Sequence, residues 1–125
     1  MDETIISSMK KYLAKLRRDP AQKVQAPLAD SFRRGGLVGD AEKTAYTGLD
    51  RHPSYLLCHE VLGKIYLRQG QLEKARDELE KVARIVQRNV ELSRVLGKIY
   101  AELDQEEKAK ELLDFVLEQD PFDFE

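Results

Sequence analysis

The stretch Val61-Leu62-Gly63-Lys64-Ile65-Tyr66 returns 34 residues later as Val95-Leu96-Gly97-Lys98-Ile99-Tyr100. One step of 34 in the other direction reaches Pro27-Leu28-Ala29-Asp30-Ser31-Phe32, which keeps an apolar residue, then a small one, then an aromatic three places on. A second block moves with the first. Ala41, Ala75 and Ala109 share one register, and Ala45, Leu79 and Leu113 share another. Self-similarity at a fixed period of this length marks a chain built by stacking one small supersecondary unit.

Each repeated residue has a packing role. Gly63 and Tyr66 lie three apart, hence on neighbouring turns of one helix face. The small residue admits a second helix at close range, the aromatic fills the space beside it, and Ala75 is the matching small residue on the partner helix. Gly36, Gly70 and Asp104, again 34 apart, stand where a left-handed residue would stop the first helix of each pair. Pro53 and Pro121 close their repeats. Gln87 takes that place in the middle repeat and predicts a longer helix there. The pattern predicts helices near 3–17, 21–34, 38–51, 54–69, 72–87, 90–103 and 105–119, with no strand and no linker, and so one domain over 1–125.

These residues resemble the tetratricopeptide repeat family: small, aromatic three on, alanine, large apolar residue, then proline, at a period of 34. The resemblance implies an all-α fold, a right-handed superhelical stack of three helix pairs over 22–55, 56–89 and 90–123. An amphipathic helix within 3–19, carrying Ile5, Ile6, Met9, Tyr12, Leu13 and Leu16, would cap the first pair. Two departures stand out. Gln25, His59 and Ser93 replace the bulky residue usual at the fourth position, and Gly48 stands where a side chain normally packs, so the first repeat is expected to be the loosest. At the far end, Phe122 and Phe124 are expected to fold back on the last helix, to contact another chain or to form a frayed tail.

Composition excludes several functions. The chain is 42% apolar and 35% charged with a net charge of −2, ordinary for a folded domain and too balanced to steer it to DNA or membrane. Cys58 is the only cysteine, so no intrachain disulfide is possible. The acidic start Met1-Asp2-Glu3, with no long apolar run after it, predicts a cytoplasmic protein. His52, Cys58 and His59 are the one cluster to test for metal. Cys58 and His59 are adjacent and point about 100° apart on a helix, and neither zinc-type spacing is present, so neither a metal site nor a catalytic Cys-His pair is expected. Gly35-Gly36 after Arg33-Arg34 lacks the lysine and spacing of a phosphate loop and reads as the turn. No catalytic residue, cofactor or metal is expected, and the chain is read as a non-enzyme.

The resemblance also implies where a partner would bind. The groove-facing places of the family fall here on Lys23, Ala26, Asp30, Arg33 and Arg34, then Leu57, Glu60, Lys64, Leu67 and Arg68, then Glu91, Arg94, Lys98, Ala101 and Glu102. The candidate groove residues are therefore Lys23, Arg33, Arg34, Leu57, Glu60, Lys64, Leu67, Arg68, Arg94 and Lys98. Arg33, Arg34, Lys64, Arg68, Arg94 and Lys98 would form a basic stripe, with Leu57 and Leu67 adding apolar contact. The expected function is a protein–protein adaptor that takes an acidic or amphipathic segment of a partner. The family's carboxylate clamp is missing, since its places hold Ala26, Asp30, Val61, Glu91 and Val95. Resemblance to small bacterial repeat proteins suggests a motility, pilus or secretion assembly. Self-association through the C-terminal end is the second expectation, and nucleic-acid binding through the stripe the weakest.

Overall fold

The computed structural model describes residues 2–122; Met1 and residues 123–125, with the expectation for Phe124, lie outside them. Seven helices follow in order: α1 (Glu3–Arg18), α2 (Gln25–Arg34), α3 (Val38–Arg51), α4 (Leu56–Arg68), α5 (Leu72–Ile85), α6 (Val90–Glu102) and α7 (Glu106–Gln119). No strand occurs among the described residues, so the fold is all-α as the repeat pattern predicts.

The helix ends repeat as the sequence does. Gly36, Gly70 and Asp104 adopt positive φ of 82°, 75° and 60°. At each, the amide of the following residue reaches back to the aromatic carbonyl: Leu37 N–H to Phe32 O, Gln71 N–H to Tyr66 O and Gln105 N–H to Tyr100 O, at 2.8, 2.9 and 2.8 Å. These bonds satisfy carbonyls that the helix end would otherwise orphan. The second helix of each pair stops with equal regularity. His52, Val86 and Asp120 donate to the carbonyls of Gly48, Val82 and Val116, all at 2.8 Å.

Two of the differences from the expected boundaries have a local cause. The middle repeat has no proline, yet α5 ends at Ile85 and is no longer than α3 or α7. Arg88 turns left-handed (φ 56°) and the Asn89 side chain accepts the Leu92 N–H at 2.8 Å, so the cap of α6 replaces the proline as the stop. The second difference is the start of α2, at Gln25 rather than residue 21. Pro27 has no N–H and cannot close a helical bond to Lys23, so it fits only within the first turn, where that donor is dispensable.

The helices form two compact units, residues 1–65 and 66–125, dividing inside α4. In the N-terminal unit α1 packs on α2 and α2 on α3. The core there includes Met9, Leu28, Ala29, Ala41, Ala45, Cys58, Leu62 and Ile65. The room beside Gly48 is filled by other side chains. A Cβ at Gly48 would lie 2.8 Å from both the Cys58 Sγ and the Gln25 Cβ, so the long side chain of Gln25 occupies the room that glycine leaves. In the third repeat the sizes at these two places are reversed, with Ser93 and Val116 both buried. In the C-terminal unit α5 packs on α6 and α6 on α7, around Ala75, Leu79, Val82, Leu96, Ile99, Ala109 and Val116. A Cβ on Gly97 would meet Leu113 at 2.9 Å, the close approach that the small residue permits. Gly63 and Ala75 are likewise buried, as the repeat argument requires.

Candidate interaction site

Within the N-terminal unit, the first turns of α2 and the body of α4 border a depression of about 280 Å³. Helix α2 contributes Ala26, Pro27 and Asp30, and α4 contributes Leu57, Glu60, Val61 and Lys64. The spacings i, i+4 on α2 and i, i+3, i+4, i+7 on α4 are those of single helix faces. Ala26 and Val61 are buried, while Leu57 lines the same depression with 56% of its surface exposed. Asp30, Glu60 and Lys64 supply charge around this apolar centre.

One side chain ties the two walls together. Tyr55, just before α4, donates its hydroxyl to the Lys23 carbonyl at 3.1 Å and accepts the Ala26 N–H at 3.3 Å. The Lys23 carbonyl is open to it because Pro27 offers no N–H, and the Ala26 N–H is one of the unpaired donors of the first helical turn. Lys23 itself lies over the Tyr55 ring, its Nζ 4.7 Å from the centroid. Burial pushes the Tyr55 hydroxyl above its ordinary pKa and keeps it a donor.

Of the residues expected in the groove, Leu57, Glu60 and Lys64 meet here, with Ala26 and Asp30 opposite. Lys23 is engaged by Tyr55 and does not line the depression. Arg33 is drawn to Asp30, donating from Nε at 3.0 Å and from a terminal nitrogen at 2.8 Å. Lys64 pairs with Glu60 at 3.3 Å. Arg34 is exposed. Leu67, Arg68, Arg94 and Lys98 belong to the C-terminal unit, where Arg94 is ion-paired with Glu91. The sequence reading missed the lining roles of Pro27 and Val61 and the bracing role of Tyr55. Only the proline carried a local signal, as a residue tolerated in a first turn and nowhere later.

The C-terminal unit has its own hollow of about 420 Å³, lined by Arg88, Ser93, Glu111, Leu112, Asp114, Phe115 and Glu118. The Arg88 guanidinium covers the Phe115 ring at 4.6 Å. Cys58, the only thiol, is buried, and burial pushes its pKa up to about 11.

The sequence matches the tetratricopeptide repeat family over residues 26–89 and again over 66–125. The chain belongs to the tetratricopeptide repeat family. Proteins of this family serve generally as scaffolds for contacts with other proteins or peptides. The repeat chain is similar to several solved structures. It aligns with YrrB, described as a TPR protein with an unusual peptide-binding site, at a TM-score of 0.83 and 18% identity, covering 90% of this chain and 58% of that one. It aligns with MamA at 0.77 and 18%, covering 94% and 69%. A thermophilic TPR protein of Thermus thermophilus aligns at 0.74 and 26%, covering 94% and 66%. The repeat chain thus spans about three fifths to two thirds of these structures, and the likeness is one of fold. No curated protein matches the sequence. No helix among the described residues is long and apolar enough to cross a membrane.

Proposed function

We propose that the chain is a non-catalytic interaction module that seats an amphipathic segment of a partner protein between α2 and α4. The observation that carries this reading is Leu57, an exposed leucine lining the same depression as buried Ala26 and Val61, with charged residues around it. An apolar centre with a polar rim is the usual anatomy of a peptide-binding surface. The rim favours a segment of mixed charge over a purely acidic one, because Arg33 and Lys64 are each balanced by a carboxylate one turn away. A non-catalytic role is supported by the state of Cys58, whose raised pKa keeps it the thiol rather than the nucleophilic thiolate. A cytoplasmic setting and a place in a motility, pilus or secretion assembly are proposed on family resemblance alone.

The test is a photo-crosslinking residue at position 57, followed by identification of the adducts and of the peptide that carries them. That peptide, made synthetically, should bind the wild-type chain and bind Leu57→Asp at least about tenfold more weakly, as expected for loss of an apolar anchor. Equal affinity for both would remove the depression as the site. Loss with Arg68→Glu/Lys98→Glu but not with Leu57→Asp would move the contact to the C-terminal unit.

A further inference from the structure

Three of the groove cations are neutralised where they stand, Arg33 by Asp30, Lys64 by Glu60 and Arg94 by Glu91, each one turn away on the same helix. The cations of α1 are not. Lys10, Lys11, Lys15, Arg17 and Arg18 share that helix with a single carboxylate, Glu3. None of the five is in a salt bridge among the described residues; Lys11 and Lys15 lie over the Tyr12 ring instead. Met9 and its apolar neighbours turn the opposite face inward, which leaves Lys10, Lys11, Arg17 and Arg18 exposed.

Helix α7 is the counterpart. Glu107, Glu111, Asp114 and Glu118 follow at i, i+4, i+7 and i+11, a continuous exposed stripe. Of these only Asp114 is in a salt bridge among the described residues, with Lys110 at 2.6 Å. Helices favour acids in the first turn and bases in the last, which accounts for Glu107 on α7 and for Arg17 and Arg18 on α1. It does not account for Glu118, in the last turn of α7, or for Lys10 and Lys11 in the middle of α1. Glu111, Asp114 and Glu118 also border the hollow over Phe115, and nearby Leu117 and Phe122 are 45% and 80% exposed.

We propose that the basic face of α1 in one copy of this chain docks on the acidic face of α7 in a second copy. The stripes are commensurate: Lys11, Lys15 and Arg18 stand at i, i+4 and i+7, the spacing of Glu107, Glu111 and Asp114. The two faces are different surfaces, so the contact is heterologous and each bound copy leaves its other face open to extend the assembly. Phosphate polymers and anionic lipid also attract a basic helix. Self-pairing is favoured because the chain is net negative and because it alone gives the acidic stripe a role. This contact is separate from the depression between α2 and α4 and does not depend on it.

Sedimentation and light scattering of the full chain should show concentration-dependent association at low salt, weakened at least about tenfold at ~0.5 M salt, where the screening length is short. Lys11→Glu/Arg18→Glu and Glu111→Lys/Glu118→Lys change only exposed residues, and circular dichroism should show both variants folded. Each alone should be monomeric. Mixed in equal amounts they should associate again, since each reversed face then meets a reversed partner. A wild-type chain that stays monomeric at high concentration and low salt overturns the proposal, and so does a mixture that stays monomeric. Binding of α1 to RNA or to phosphatidylglycerol vesicles, lost in Lys11→Glu/Arg18→Glu while self-association persists, would assign the basic face to a polyanion instead.

Discussion

The Tyr55 hydroxyl donates to the Lys23 carbonyl at 3.1 Å because Pro27, four residues on from Lys23, cannot. The same oxygen accepts the Ala26 N–H, so one side chain, 29 residues away from Ala26 in sequence, caps the start of α2 and holds α4 beside it. A cap of this kind does two jobs. It satisfies backbone groups, and it sets the width of the depression between the two helices.

Replacing Tyr55 by Phe should therefore cost about 1–2 kcal/mol, since it leaves a buried donor and acceptor without their partner while keeping the ring over which Lys23 lies. Adding Pro27→Ala to that variant should recover part of the loss, because the new N–H can close the helical bond to Lys23. Urea unfolding of the two single variants and the double variant measures the coupling. Strict additivity would show that the proline and the tyrosine are unrelated.

Two glycines of α3 should respond with opposite signs. Gly39 has nothing within 4 Å of an added Cβ, so Gly39→Ala should stabilise the helix by up to about 1 kcal/mol. Gly48→Ala would press on Cys58 and Gln25 at 2.8 Å and should destabilise by about 1–3 kcal/mol despite the better helix former. Thermal melts of both decide it.

The Gln25 carboxamide is fully buried, and neither its nitrogen nor its oxygen has a hydrogen-bond partner among the described residues. Gln25→Met keeps nearly the same shape and removes both groups, and should raise stability by about 1–2 kcal/mol. A lower melting temperature for Gln25→Met would mean that the amide is satisfied in solution, with ordered water as the natural partner.

Alkaline pH should weaken the fold through Cys58. Its folded pKa of about 11 lies above the unfolded thiol value, so between the two the native state holds a proton that the unfolded state has lost. Stability is fully present below the unfolded pKa and falls as pH rises toward the folded one, by at most about 1.4 kcal/mol per pH unit. Tyr55 and Tyr100, also raised by burial, act in the same sense at higher pH. Cys58→Ala should flatten the stability profile above about pH 9, and the native thiol should resist a disulfide reagent at about pH 8 until urea is added.

Much of the fold was legible because it is periodic. Gly36, Gly70 and Asp104 marked the turns, and Ala41, Ala75 and Ala109 marked the seam, since local backbone conformation and helix-face spacing follow from residue type at short range. The size exchange between Gln25 and Gly48 was not legible. Each residue alone reads as a weak place, and only their contact across two helices shows that one fills the other. The pairing of Arg33 with Asp30, Lys64 with Glu60 and Arg94 with Glu91 was likewise not legible, because side-chain conformation decides which neighbours on a helix meet.

Residue order by itself determined the repeat, the helix pairs, the left-handed turns and the absence of a thiol framework, because these depend on steric preferences within a few residues and on a period that any alignment of the chain with itself reveals. Tertiary structure decided that Leu57 lines one depression with Ala26 and Val61, that Tyr55 caps α2, and that α5 stops without a proline. Those outcomes depend on which groups meet across helices, where a missing N–H, an open carbonyl or one methyl of space is matched by a residue remote in the chain.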